Sequence, residues 1–175
     1  MGKQNEISIR QATADDLSLV KFIVHDTIGM IYPLYYPQGA VDFFLAHHRE
    51  ENIASDLSQN LVYVLSERQV VVGVVTVKEN EIKRLFVLSE HQGKGYGGIL
   101  LDFAEAKLAD QYDFIRLDSS WPAKTIYLKR GYRVCQYHTI RTDNGDYLCY
   151  DVMTKEIRAG NSTDEAAVVL SEVPS

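Results

Sequence analysis

Between Gln92 and Gly98 the chain reads Gln-Gly-Lys-Gly-Tyr-Gly-Gly, with four glycines in seven positions. The chemistry on offer there belongs to the backbone. Glycines leave successive N–H groups unobstructed by Cβ atoms. The apolar positions that come after announce a helix, whose N-terminus adds roughly half a positive charge. A loop of this kind cradles a phosphate or pyrophosphate. Lys94 either adds charge to that cradle or points to solvent.

The loop needs a strand before it and a helix after it. Leu85, Phe86, Val87 and Leu88 form a continuous apolar run, as a strand buried on both faces does. Ser89, Glu90 and His91 break the run. Ile99, Leu100, Leu101, Phe103, Ala104 and Leu108 then recur at helical spacing to about Asp110. Upstream, Glu6–Arg10 alternates as a strand, and Thr13 with Asp15 and Asp16 opens a helix that ends near Tyr32 and Pro33. An aromatic connection, Pro33–Gly39, leads to a second helix over Ala40–Leu57. Leu61–Ser66, Val70–Val77 and Glu81–Leu88 read as an antiparallel meander. Downstream, Phe114–Asp118 is a strand parallel to the one before the loop. A helix opens at Pro122 and ends at Gly131. Tyr132–Thr142 and Tyr147–Ile157 form a hairpin around Asn144-Gly145. The fold class is α/β (α+β): a mixed, mostly antiparallel sheet flanked by helices. One domain is expected over residues 1–157, with a tail over 158–175. Ligands are expected where strands part at the crossover.

Composition narrows the partners. The chain has 175 residues, 46% apolar and 24% charged, with a net charge of −6. That suits a domain with a real core and argues against non-specific nucleic-acid binding. Cys135 and Cys149 form no close pair, so neither a metal site nor a disulfide framework is expected. Residues 1–10 lack the apolar segment of a signal peptide, and Glu6 stands where a myristoylation motif needs Ser or Thr. No apolar run reaches the ~18 residues that span a membrane, so the expectation is a cytoplasmic protein that binds no membrane.

Three ligand readings of the glycine loop compete with a plain structural turn. The P-loop pattern fails, because Gly93-Lys94 is followed by Gly95 and not by a hydroxyl residue. The dinucleotide pattern GxGxxG is met by Gly93, Gly95 and Gly98, and Asp118 lies where a ribose-binding acid belongs. Four residues separate that loop from its strand, however, and an antiparallel meander precedes it. The third pattern, Gln-x-x-Gly-x-Gly, is met by Gln92, Gly95 and Gly97. With the strand before and the helix after, it resembles the acetyl-CoA-binding motif of the GCN5-related N-acetyltransferase (GNAT) family. Ser120–Tyr132, SWPAKTIYLKRGY, resembles that family's later Asn-x-x-Ala-x-x-x-Tyr-x-x-x-Gly-Phe segment. Ala123, Tyr127 and Gly131 fall on it, Ser120 replaces the Asn, and Tyr132 stands for the Phe.

The resemblance implies acetyl-CoA as co-substrate, no metal, and transfer of an acetyl group to a primary amine on a small molecule or a protein. The transfer would be direct, in a ternary complex. A non-catalytic acyl-CoA-binding sensor or assembly module is the rival. The resemblance also implies cofactor contacts from Gln92, Gly93, Lys94, Gly95, Tyr96, Gly97 and Gly98, with the backbone N–H groups of Gly93 to Gly98 holding the pyrophosphate. Pantetheine would pair with a bulged strand at Phe86, Val87 and Leu88, where an amide near Phe86 or Val87 receives the thioester carbonyl, and would touch Ser120 and Ala123. Tyr127 matches the tyrosine facing the CoA sulfur and is the candidate acid. Glu81, eleven residues before Gln92, is the candidate base, with Tyr63, Glu79, His47 and His48 as fallbacks. Tyr35 and Tyr36 are candidates to line the acceptor cleft. Lys83, Arg84, Lys124, Lys129 and Arg130 read mostly as solvated charges. Members often pair, which leaves room for a homodimer.

Overall fold

A computed structural model describes residues 6–157; the proposed tail lies outside the described residues. In order the elements are β1 (Ile7–Gln11), α1 (Leu17–Ile31), α2 (Gln38–His47), α3 (Glu50–Ser58), β2 (Val62–Glu67), β3 (Val70–Lys78), β4 (Glu81–Val87), α4 (Tyr96–Ala109), β5 (Phe114–Ser119), α5 (Trp121–Lys129), β6 (Arg133–Arg141) and β7 (Tyr147–Glu156). They build one seven-stranded sheet in the order β1-β2-β3-β4-β5-β7-β6. Every neighbouring pair is antiparallel except β4 and β5.

The sheet is packed on both faces. Val62 and Val64 of β2 join the core beneath α1, α2 and α3, while the alternating Tyr63 and Leu65 join the core beneath α4 and α5. Period-two alternation thus feeds two apolar layers from one strand. Thr13 and Asp16 close the entry to α1. The Asp16 carboxylate accepts from Thr13 N at 2.8 Å and from both terminal nitrogens of Arg10. That pairing with Arg10, helped by the Thr13 amide, lowers the Asp16 pKa to about 2.

Two expectations need correction. The helix expected over Ala40–Leu57 is two helices, broken at His48 and Arg49, the second of which turns extended. The reason is local: the apolar positions step from His48 to Ile53, five residues, and lose the three-to-four repeat. His25 Nε2 also binds the His48 carbonyl oxygen at 2.9 Å, and Asn52 Nδ2 donates to His47 O. The second concerns Ala14–Leu34. This helical stretch of 21 residues contains an 18-residue window of mean hydropathy 1.3, and by length and composition it is long and apolar enough to cross a membrane. Val20, Ile23, Val24 and Ile28 on it are fully buried against the sheet, as in a core helix.

Two irregularities in β4 open the middle of the sheet. β4 and β5 share a single paired position, Glu81 with Arg116, and part beyond it. In the β3–β4 ladder, Thr76 faces Lys83 but Val74 faces Phe86. One extra residue is therefore inserted at Arg84–Leu85, a β-bulge, and Arg84 has φ +39°.

Candidate active site

The glycine loop is shorter than its sequence suggests. Gly93 and Gly95 adopt left-handed φ values of +77° and +87°, and α4 begins at Tyr96, so Gly97 and Gly98 lie in its first turn. A Cβ added at Gly93 or Gly95 would meet nothing within 4 Å. What demands glycine there is φ, and the space in front stays open for an anion. The Gln92 side chain turns back and donates to Val87 O at 3.1 Å, where Thr27 Oγ1 also donates at 3.0 Å. Gln92 thereby ties the loop to the end of β4. Tyr96 is buried, and Lys94 is exposed, 3.4 Å from the His91 ring.

The loop opens into a groove of about 370 Å³. One wall is β4 (Leu85, Phe86, Val87); the other is α5 with its cap (Ser120, Pro122, Ala123, Ile126). Leu88 does not line it; its side chain is in the core beneath α1, and its N–H donates to Val72 O. Alternation along an antiparallel ladder therefore turns Phe86 toward β3 and Val87 away from it. The Val87 carbonyl, bonded to Thr27 and Gln92, agrees. With β5 splayed off, the Val87 N–H faces the groove. An unpaired strand edge beside an open, left-handed glycine loop fits a ligand that is peptide-like at one end and anionic at the other.

A second cavity, of about 450 Å³, lies on the α2–α3 side of β4. It shares Tyr32, Leu85, Phe86, Ser120, Ala123 and Tyr127 with the groove. Tyr127 thus stands at the border. Its ring is 8% exposed and 5.6 Å from that of Tyr132. Burial, then Tyr32, pushes its hydroxyl well above the usual tyrosine range, so it stays protonated. Tyr32, which sequence reasoning did not single out, bonds Ser120 and is raised by burial to about 12. Ser120, which replaces the usual Asn, is the N-cap residue of α5.

Glu81 lines the second cavity, with Lys83 Nζ 3.6 Å from its carboxylate and Asp118 on a facing strand. His47 and His48 line it too. His48 Nδ1 accepts from Arg84 Nε at 3.1 Å, and burial followed by the Arg84 charge drives its pKa to about 2. His48 is therefore a neutral acceptor at Nδ1, with that nitrogen already engaged. His47 is shifted down as well, by burial and then Arg84. Arg84 departs from the solvated-charge reading. Its side chain is 6% exposed and ion-paired with Asp56 of α3. Lys124 pairs with Asp151, and Arg130 with Asp102.

Tyr35 and Tyr36 are not among the residues lining either cavity. Tyr35 is half exposed. Tyr36 is buried, and its hydroxyl accepts from Trp121 N at 2.7 Å, holding the start of α5. Tyr63 packs on Phe103 beneath α4, on the opposite face of the sheet from the second cavity. No group of three metal-ligating side chains occurs among the described residues.

Residues 31–149 match the model of the acetyltransferase (GNAT) domain. The chain belongs to this family. A search of curated protein sequences returned no match. Solved structures share the fold. A GCN5-related N-acetyltransferase from Rhodopseudomonas palustris is 24% identical over 89% of this chain and 99% of its own, with a TM-score of 0.78. The PaiA N-acetyltransferase of Thermoplasma acidophilum, in complex with coenzyme A, is 19% identical over 86% and 99%, with a TM-score of 0.67. The ribosomal-protein-S18-alanine N-acetyltransferase of Escherichia coli is 16% identical over 91% and 99%, with a TM-score of 0.66.

Proposed function

We propose that this chain transfers the acetyl group of acetyl-CoA directly to a primary amine, on a small molecule or a protein, with both reactants held at once. One observation carries the reading. Two cavities, one bounded by an anion-ready loop and a free strand edge, the other by mixed charge, meet at Phe86 and Tyr127.

Acetyl-CoA, when bound, supplies an acyl group on a thiol leaving group. The residues supply the rest. N–H groups of Gly93 to Gly98 hold the pyrophosphate. The Val87 N–H donates to the carbonyl oxygen as it gains charge. Glu81, directly or through water, takes a proton from the ammonium form of the acceptor, since only the neutral amine has the lone pair to attack. Tyr127 gives its proton to the departing sulfur. Burial raises Tyr127 above a free thiol near 8.5, but a thiolate expelled into the same dry site is raised too, which narrows the mismatch. Placing both reactants at one border supplies the effective concentration.

Incubation with acetyl-CoA and a panel of small amines and N-terminal peptides, read by CoA release and product mass, tests this. Acetylated product is the expected result. CoA binding without turnover on any amine would favour a binding module, and binding of NADH but not CoA would return the dinucleotide reading.

A further inference from the structure

The geometry points to Arg84 as a positioning residue: it clamps the β4 bulge so that the Val87 N–H, and not a neighbour's, faces the thioester carbonyl. This rests on the reading of the groove as the acetyl-CoA site.

Ile82 and Val87 both bury in the core beneath α4 and α5, although five residues separate them. A regular strand with period two would send them to opposite faces. The extra residue at Arg84–Leu85 restores Val87 to that core and decides which amide beyond it looks into the groove. Removing the bulge would shift every later amide by one position.

The bulge has a cost. Arg84 adopts φ +39°, a region that non-glycine residues occupy only when their surroundings impose it. The imposing contacts come from three elements. Nε donates to His48 Nδ1 at the end of α2, and Nη1 donates to Asp56 of α3 and to Thr76 Oγ1 of β3, the last at 3.4 Å. The His48 ring meets Phe86, two residues past Arg84, edge to face at 5.5 Å. Only a planar fork of donors reaches several partners at fixed angles; a lysine keeps the charge without the fork. The break between α2 and α3 is what brings His48 Nδ1 to the guanidinium.

The test needs no acceptor. Acetyl-CoA labelled with ¹³C at the thioester carbonyl is bound to the wild type and to R84K, H48A and H48N, and its carbon resonance and dissociation constant are measured. A hydrogen bond to the carbonyl oxygen moves that resonance downfield. In the wild type the bound signal is downfield of free acetyl-CoA. In R84K and H48A most of that shift is lost, while Kd changes less than about threefold, because the pyrophosphate loop is untouched. H48N restores the shift, since its Oδ1 can accept from Arg84 Nε as Nδ1 does. H48A and H48N sit at a helix break, so the comparison stands even where R84K does not fold. An unmoved resonance in H48A and R84K with binding intact overturns the clamp alone. Failure of the wild type to bind acetyl-CoA overturns the groove reading and the clamp with it.

Discussion

The groove and the second cavity meet at Tyr127 and are made of different material. The groove's walls are apolar side chains, and its polar groups come mostly from backbone: left-handed glycines, the first turn of α4 and the free edge of β4. The cavity is mostly side chains, with Glu81, Lys83 and Arg84 from β4, Asp118 from β5, Tyr150 from β7 and Asp56 from α3. A backbone site restricts residue type only where φ is positive or space is short. A side-chain site can change its preference at any of several positions.

If the two regions act as one machine, the residue on their border carries the largest effect. Tyr127→Phe keeps the ring in its core and removes the hydroxyl with its proton. We expect kcat to fall about 10²–10³-fold, the range of a lost general acid, with acetyl-CoA Kd unchanged by calorimetry. Unchanged turnover at saturating substrate would leave Tyr127 a packing residue. On the groove side, Gly95→Val places a β-branched residue at φ +87°. The strain, about 2 kcal/mol, should weaken acetyl-CoA binding roughly thirtyfold. Equal binding would show that the loop does not need its left-handed turn.

The same contrast governs what the sequence disclosed. The groove was legible because its constraints fall within one window, Leu85 to Leu101, where glycine, an apolar strand and an apolar helix each leave a distinct pattern. The sheet and its hairpin were legible from alternation and Asn144-Gly145. The cavity was not, because its members are ordinary residues brought together by tertiary contacts. Arg84 reads as a solvated charge until Asp56 and His48, 28 and 36 residues away, are folded onto it. Tyr36 reads as an acceptor contact, but its hydroxyl binds the start of α5. Tyr32 carries no signal apart from its place at a helix end. The one missed signal was the five-residue step from His48 to Ile53, which marks the helix break.

His48 offers a way to sharpen the comparison by pH. Its folded pKa lies far below the usual 6.5, so the folded state resists a proton that the unfolded state accepts. The stabilisation is therefore complete above about pH 6.5 and is lost as pH falls below it, at up to about 1.4 kcal/mol per pH unit. His48→Asn removes the titrating group and should flatten this slope between pH 6.5 and 4, measured by urea unfolding at each pH. The slope at lower pH, where Asp16 takes up its proton, should persist in both. An unchanged slope in the variant would mean that His48 is not held neutral in the cavity wall.

The smallest expected effect asks whether the cavity can be loosened without touching the groove. Pro37, the N-cap residue of α2, has no side-chain acceptor for the first amides of the helix. Asp146, from the turn between β6 and β7, supplies one: its Oδ2 accepts from Gly39 N at 2.9 Å. Gly39 is required for this approach, since a Cβ there would lie 1.9 Å from Asn144 Oδ1. The contact fastens α2 to the hairpin that gives Ile140, Leu148 and Tyr150 to the cavity. Asp146→Ala should cost about 1 kcal/mol of stability, the value of a lost cap. It should raise KM for the amine a few-fold while acetyl-CoA Kd stays put. Both ligands weakening together would mean that α2 and the hairpin also support the groove, and that backbone and side-chain sites are not separable in this fold.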